Sequence, residues 1–384
     1  MLEAIFLLIR YSAALPSFLE IDMAVRNYAI AALVTGSLLS LPALAAPDTP
    51  LTSAARQQAV QTLAVKLKAN YVSPEVAERV ATSIARKHAD GGYAAATSAQ
   101  AFAAVLSKDL RELSDDKHFR AIHDERFRER SDDGKLPDRA ETEERRDRTA
   151  KLGYGIAKIE RLPGNVGYLD LRGFGPTEFV GPAYTAAMTL LSGTDALILD
   201  LRRNGGGSPS SVAYLMSHFF PLGDERHLND LYERSTNTTQ QFWTVKTVTQ
   251  RYDKPVYVLT SARTFSGGEE CAYDFQTQKR ATLVGETTGG GANPVSPFSI
   301  GHGIVVAIPV GRAINPITKT SWEHVGVKPD IAVPAAQAQQ TAHAAILRKL
   351  LEDNKDEDLR ASLQRALAMV EKGETEPAVY TLKQ

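Results

Sequence analysis

Apolar residues recur at helical spacing early in the chain and gather into short unbroken runs later. Val60, Leu63, Ala64 and Leu67 fall on one face of a helix over 51–70. Ser73-Pro74-Glu75 supplies an N-cap followed by proline at the first helical position, so a second helix starts there. Gly91-Gly92 ends it, and a third helix covers about 98–113. Three short helices with apolar stripes predict a small bundle. Over 124–151 the pattern disappears. DERFRERSDDGKLPDRAETEERRDRTAK is dense in both charges and nearly devoid of large apolar residues, so it buries little and reads as a mobile, solvated linker or lid.

From Gly153 onward the period changes. Short apolar runs at 166–171, 196–201, 256–260, 282–284 and 303–310 read as strands, and 196–201 as a fully buried one. Helical segments lie between them near 178–191, 208–219 and 267–278. A polar excursion occupies 225–250, and helices near 336–352 and 357–372 close the chain. Strand–helix alternation predicts an α/β fold with mostly parallel strands.

The length, 384 residues, allows two domains or one large one with appendages. Net charge is -1, which gives no electrostatic reason to expect nucleic acid or an anionic membrane as partner. The single cysteine, Cys271, excludes an intrachain disulfide and a cysteine zinc site, and reads as a small buried residue on a helix. From Met23 the chain carries a secretory pattern: Arg26, an apolar stretch over 29–41, and Ala43-Leu44-Ala45 as a cleavage site. That stretch is too short for a membrane span, which takes about 20 residues. The expected mature chain starts near Ala46, outside the cytoplasm, periplasmic or secreted, with residues 1–22 a misassigned extension of the 1–45 signal segment.

Three segments could carry chemistry. In the first, an apolar strand runs through a short turn into Ser266-Gly267-Gly268-Glu269 and a helix. Unpaired N–H groups and a positive dipole end there favour negative charge, as an acyl-transfer oxyanion requires. Ser266 is equally well placed as a plain N-cap. In the second, the strand at 197–201 runs into Arg202-Arg203-Asn204-Gly205-Gly206-Gly207. This glycine loop fits an oxyanion hole, a phosphate cradle or a tight turn, although the lysine of a P-loop is missing. In the third, Leu113 to Arg120 reads LSDDKHFR, and His118 could serve as base, with His324 its main competitor. No histidine pair has metal-binding i,i+4 spacing, so no metal and no cofactor are expected.

Taken in order, these segments resemble the tail-specific, or C-terminal processing, protease family (peptidase family S41). The resemblance spans about 50–335 and rests on GYLDLRGF (167–174), LDLRRNGGG (199–207), TFSGGEE (264–270), KRATLVGETTGGGANP (279–294) and WEHVGVKPD (322–330). It is nearest to the retinoid-binding-protein-like branch. The classical branch has a Ser–Lys dyad with its lysine in a Gly-Lys-Gly context; here Gly289-Gly290-Gly291 stands in that place. The tricorn-like branch uses Ser, His and Glu. By that likeness Ser266 is the nucleophile, His118 the base and Glu323 the group that orients it, with oxyanion donors from Gly267 and from Gly206 or Gly207. Tricorn-type sites have a serine immediately before the histidine, where this chain has Lys117.

The resemblance implies a crotonase/ClpP-like core at 151–335, after a helical subdomain at 46–118 and a charged linker at 119–150, with C-terminal helices at 336–384. It implies a serine-type endopeptidase acting on peptides or proteins through an acyl-enzyme. Only about 48 residues separate His118 from Val166, too few and too polar for the PDZ domain of the classical branch. The alternative is a non-catalytic or weakly catalytic module that binds a hydrophobic ligand or peptide. Arg202 and Arg280 are possible partners for a substrate carboxylate, and Glu286 is a loop carboxylate without an assigned role.

Overall fold

The computed structural model describes residues 49–129 and 139–374. The expected signal segment and its cleavage site lie outside them. Three helices come first: α1 (Ser53–Asn70), α2 (Pro74–Ala89) and α3 (Ala99–Ser114). Thr52, Ser73 and Ser98 cap them, their hydroxyls accepting from the N–H groups of Ala55, Val76 and Ala101. Strand β1 (Arg120–His123) follows. The second half of the charged stretch departs from the linker expected there, forming a helix, α4 (Arg139–Lys151). None of its residues is buried, and ion pairs Arg139–Glu143 and Glu144–Arg148 bridge successive turns. The segment is solvated, as its composition requires, and still regular.

The next elements are β2 (Ile156–Leu162), β3 (Val166–Leu171), α5 (Thr177–Leu191), β4 (Ala196–Asp200), α6 (Pro209–Met216), β5 (His227–Glu233) and β6 (Thr238–Trp243). They continue with β7 (Val256–Thr260), α7 (Gly267–Thr277), β8 (Thr282–Gly285), β9 (Val295–Ser299), β10 (Ile304–Pro309) and β11 (Gly311–Ile314). The short β12 (Ile331–Ala332) and helices α8 (Ala335–Asp353) and α9 (Glu357–Lys372) complete them. The main sheet has the order β12-β8-β7-β4-β3-β2, parallel except for the β2–β3 hairpin.

β3 and β4 are buried along their whole length, because helices cover both faces of the sheet. The period of two sorts their side chains. Leu197 and Leu199 pack with Met188 of α5, Val212 of α6 and Phe275 of α7. Ala196 and Ile198 face the other way, toward Ala342 and Leu347 of α8 and Leu363 of α9. The fold is therefore α/β with a largely parallel sheet between two helical layers. Cys271 is buried in the first of these layers.

The N-terminal helices do not close a core alone. Leu63, Phe102 and Leu106 share one with Phe119 and Ala121, and with Ile300, Ile304, Val306 and Ile308 from far along the chain. β1 pairs antiparallel with β10, Arg120 opposite Ala307 and His123 opposite Ile304, and β9 extends that sheet. The polar excursion contains a hairpin, β5–β6, to which β11 adds a third strand. Among the described residues, no helix is long and apolar enough to cross a membrane.

Candidate active site

β4 and β7 are neighbours in the parallel sheet, so the loops that leave their carboxyl ends lie side by side. Asn204, fully buried, stitches them together. Its Nδ2 donates to Leu171 O at 3.0 Å, its carbonyl accepts from Phe265 N at 3.0 Å, and its Oδ1 accepts from Gly206 N at 2.8 Å. Thr264 Oγ1 and Ser261 Oγ add bonds to Leu201 O at 2.8 Å and Arg202 O at 2.6 Å. This bracing holds Ser266 at φ 53°, ψ -123°, immediately before α7. A non-glycine residue in that backbone region stores roughly 1–3 kcal/mol, sustained only where the surroundings over-determine it.

The glycine loop lies directly against this serine. Gly206 has φ +99°, and a Cβ there would come within 2.7 Å of Ser266 Cβ and 2.8 Å of Gly267 N. Gly207 has φ +140°, and a Cβ there would overlap Phe174 O. Of the two glycines between which the expected loop donor was left open, Gly206 has its N–H committed to Asn204 Oδ1. Among the described residues, the N–H groups of Gly207 and Gly267 donate to no acceptor. A Cβ on Gly267 would lie 3.0 Å from Gly207 N, so the two peptides are close.

Glu269 ties a third loop to the serine. It is fully buried, on the first turn of α7. One oxygen accepts from Thr288 Oγ1 at 2.5 Å and Gly290 N at 2.6 Å; the other accepts from Ser266 N and Gly291 N, each at 2.9 Å. Burial raises its carboxyl above the ordinary range in spite of these four donors. The sequence signal for it was the spacing Ser266-x-x-Glu269, that of a capping box.

The histidine arrives from the other core. α3 ends at Ser114, and the turn before β1 places His118 beside Phe265, ring centroids 4.6 Å apart. Gly291 forms another wall, since a Cβ there would sit 2.7 Å from His118 Cε1. The imidazole therefore stands next to the residue that precedes Ser266, but no hydrogen bond joins the two side chains. Among the described residues neither ring nitrogen has a hydrogen-bond partner, although the side chain is only 6% exposed.

Two carboxylates share its surroundings. One donor atom from each of Asp116, His118 and Glu323 lies within 4.8 Å of the others. Asp116, fully buried, has Oδ1 3.6 Å from His118 Nδ1, and accepts from His118 N at 3.0 Å, Asn293 Nδ2 at 3.0 Å and Tyr71 OH at 3.3 Å. Burial alone would raise its carboxyl; His118 and Asn293 outweigh that and hold it below the usual range. Glu323 accepts from the N–H groups of Ala292 and Asn293, while burial and the charge of Asp116 push its carboxyl up. Spacing alone predicts no metal centre here. The fold nevertheless gathers one imidazole and two carboxylates, a donor set that suits a divalent cation. Sequence reasoning passed over Asp116, although it stands two residues from His118.

Other expected candidates have structural roles. Arg202 pairs with Asp200 at 2.6 Å and donates to Ala335 O at 2.8 Å. Arg280 donates to the carbonyls of Phe219, Tyr252 and Lys254, so neither arginine is free for a substrate carboxylate. Glu286 accepts from Ala262 N and Ala335 N and braces a loop. Lys117 Nζ donates to Gly289 O at 2.5 Å. His324 pairs with Asp115 at 3.5 Å on the surface. A cavity of about 420 Å³ opens beside the glycine loop, lined by Arg145, Phe174, Pro176, Thr177, Glu178, Ser208 and Ser210.

A strained serine at a strand-to-helix turn, a glycine loop against it and an imidazole from a helical N-terminal segment gather at the carboxyl ends of the central strands, and comparisons with known proteins point to one family. Residues 165–333 match the model of peptidase family S41, and 25–151 match that of the N-terminal domain of Peptidase_S41 in eukaryotic IRBP. Two models of peptidase family S41 thus match the chain in succession, over 25–151 and 165–333. It is 30% identical over 169 residues to a carboxyl-terminal-processing protease of Synechocystis, covering 44% of this chain and 38% of that protein. It is 29% identical over 192 residues to the chloroplastic carboxyl-terminal-processing peptidase 2 of Arabidopsis thaliana, covering 46% and 35%. The match thus takes in between a third and two fifths of each of these relatives. A solved photosystem II D1 C-terminal processing protease is 24% identical, with a TM-score of 0.37, covering 44% of this chain and 42% of that one.

Proposed function

We propose that this chain is a serine-type endopeptidase that cleaves exported proteins or peptides through an acyl-enzyme on Ser266. The observation that carries the reading is the backbone of Ser266, a non-glycine residue strained at φ 53° on the turn into α7. Ser266 is only partly buried at this turn, so a substrate can reach it.

In this mechanism His118 accepts the Ser266 proton as Oγ attacks the peptide carbonyl, then returns it to the leaving amine. The N–H groups of Gly207 and Gly267 receive the oxyanion. Asp116, favoured as the anion, and Glu323 are positioning residues that keep the imidazole in place. Attack requires the imidazole and hydroxyl to draw together when substrate binds, as apo hydrogen bonds of this kind often tighten in the complex. The cavity beside Gly207 is lined mostly by polar and charged groups, which favours a polypeptide over the purely apolar ligand of the binding-module reading. The secretory pattern of residues 23–45 supports export, to a periplasm or out of the cell.

The test is labelling with a fluorophosphonate probe together with hydrolysis of a quenched-fluorescent peptide library. Ser266 takes the label, and Ser266→Ala abolishes both labelling and cleavage. A Ser266→Ala chain that cleaves as fast as its parent refutes the proposal.

A further inference from the structure

We propose that Asp116, His118 and Glu323 bind one divalent transition-metal cation, zinc above all, and that the bound cation blocks the site. The inference uses the residues of the proposed active site but does not depend on turnover. The three side chains come from two distant segments and converge with one donor atom each inside 4.8 Å. Asp116 Oδ1 and His118 Nδ1 are 3.6 Å apart. Two ligands of a tetrahedral zinc, with bonds of about 2.0–2.1 Å, lie about 3.3–3.4 Å apart, so that pair needs to close by only a few tenths of an ångström.

The hydrogen bonding points the same way. Both ring nitrogens of His118 and Oε1 of Glu323 are buried without a partner among the described residues. Buried polar atoms are nearly always satisfied, and leaving one bare costs about 1–3 kcal/mol. A cation would satisfy a ring nitrogen and a carboxylate oxygen together. It would also neutralise charge where two carboxylates converge on one imidazole.

The outer contacts are those of a supported ligand set. Asn293 Nδ2 and Tyr71 OH hold the second oxygen of Asp116, and the N–H groups of Ala292 and Asn293 hold the second oxygen of Glu323. One imidazole and two carboxylates suit zinc, cobalt or manganese better than copper(I), which prefers sulfur. An imidazole whose lone pair is on a metal cannot take the Ser266 proton, so occupancy and catalysis exclude one another.

The test titrates zinc chloride into the Ser266→Ala protein by calorimetry in chelator-free buffer, with cobalt(II) absorption as a second readout. One zinc per chain is expected, with a tetrahedral cobalt spectrum, and His118→Gln and Glu323→Gln each weaken binding at least tenfold. In the unmodified protein, one equivalent of zinc stops peptide hydrolysis and EDTA restores it. Absence of saturable uptake overturns the proposal. So does stoichiometric binding that survives in both variants, which moves the ion to a surface pair such as His227–Asp230. Zinc held by these residues in a protein that cleaves nothing sinks the peptidase reading alone; cleavage insensitive to zinc, with no uptake, sinks this one alone.

Discussion

Replacing Glu269 by glutamine tests whether one buried carboxylate holds the serine turn and the 288–291 loop together. The carboxylate accepts four donors, two on each oxygen. Glutamine keeps one oxygen and puts an amide NH2 in place of the other. The least costly orientation turns NH2 toward Thr288, whose hydroxyl can rotate to accept, and leaves the Gly290 N–H facing a donor. That unsatisfied group costs about 1–3 kcal/mol, and the two bonds left on the oxygen weaken by about 1 kcal/mol each when the charge is lost. Relief from burying a charge, the cause of the raised carboxyl, offsets part of this loss. The expected net loss is about 2–4 kcal/mol, read as a lower urea midpoint with unchanged slope. Gly291 forms a wall of the His118 site, so loosening this loop misplaces the imidazole. A 1 Å error in such a group costs about 100-fold, so kcat on a cleavable peptide should fall by that order with KM little changed. A Glu269→Gln protein with parental midpoint and parental kcat refutes the reasoning.

Two further outcomes follow from the same neighbourhood. Gly206→Ala places a methyl 2.7 Å from Ser266 Cβ at φ +99°; it should cost at least about 1–2 kcal/mol from backbone strain and abolish fluorophosphonate labelling, whereas Gly205→Ala, with open space at its Cβ, should retain it. Glu270, buried on α7 beside Asn229 and Asp274, has its carboxyl pushed up to about 7 by burial from an ordinary value near 4.5. The folded state then holds a proton that the unfolded chain has released, so stability is full below about 4.5 and drops as pH rises to about 7, by up to about 3 kcal/mol. Urea midpoints from pH 4.5 to 8 should show that fall in the parent and a flatter curve in Glu270→Gln; parallel curves would remove Glu270 as the cause.

The parallel core was legible because its strands are unbroken apolar runs: 166–171 and 256–260 coincide with β3 and β7. β6 was not, since five of its six residues face solvent and give no apolar alternation to read. α4 was hidden for a related reason, being a helix without an apolar stripe. The serine turn and glycine loop announced themselves through composition. Asp116 and Asn293 did not, because their importance comes from meeting 177 residues apart in the chain, a contact that no local pattern encodes. The choice between Gly206 and Gly207 as donor was open in the sequence, because only the fold shows Asn204 taking the Gly206 N–H through its side-chain oxygen.

The β1–β10 pairing also governs when the site can come into being. During synthesis the His118 segment and the Ser266 turn are both complete before the strand that clamps the former has emerged, since Arg120 must wait for Ala307. Closing so long a loop is entropically slow, and contacts of this separation form late in folding. A nascent chain therefore carries its hydroxyl before its base is clamped, and competence arrives only once the chain has been made past β10, which ends at Pro309.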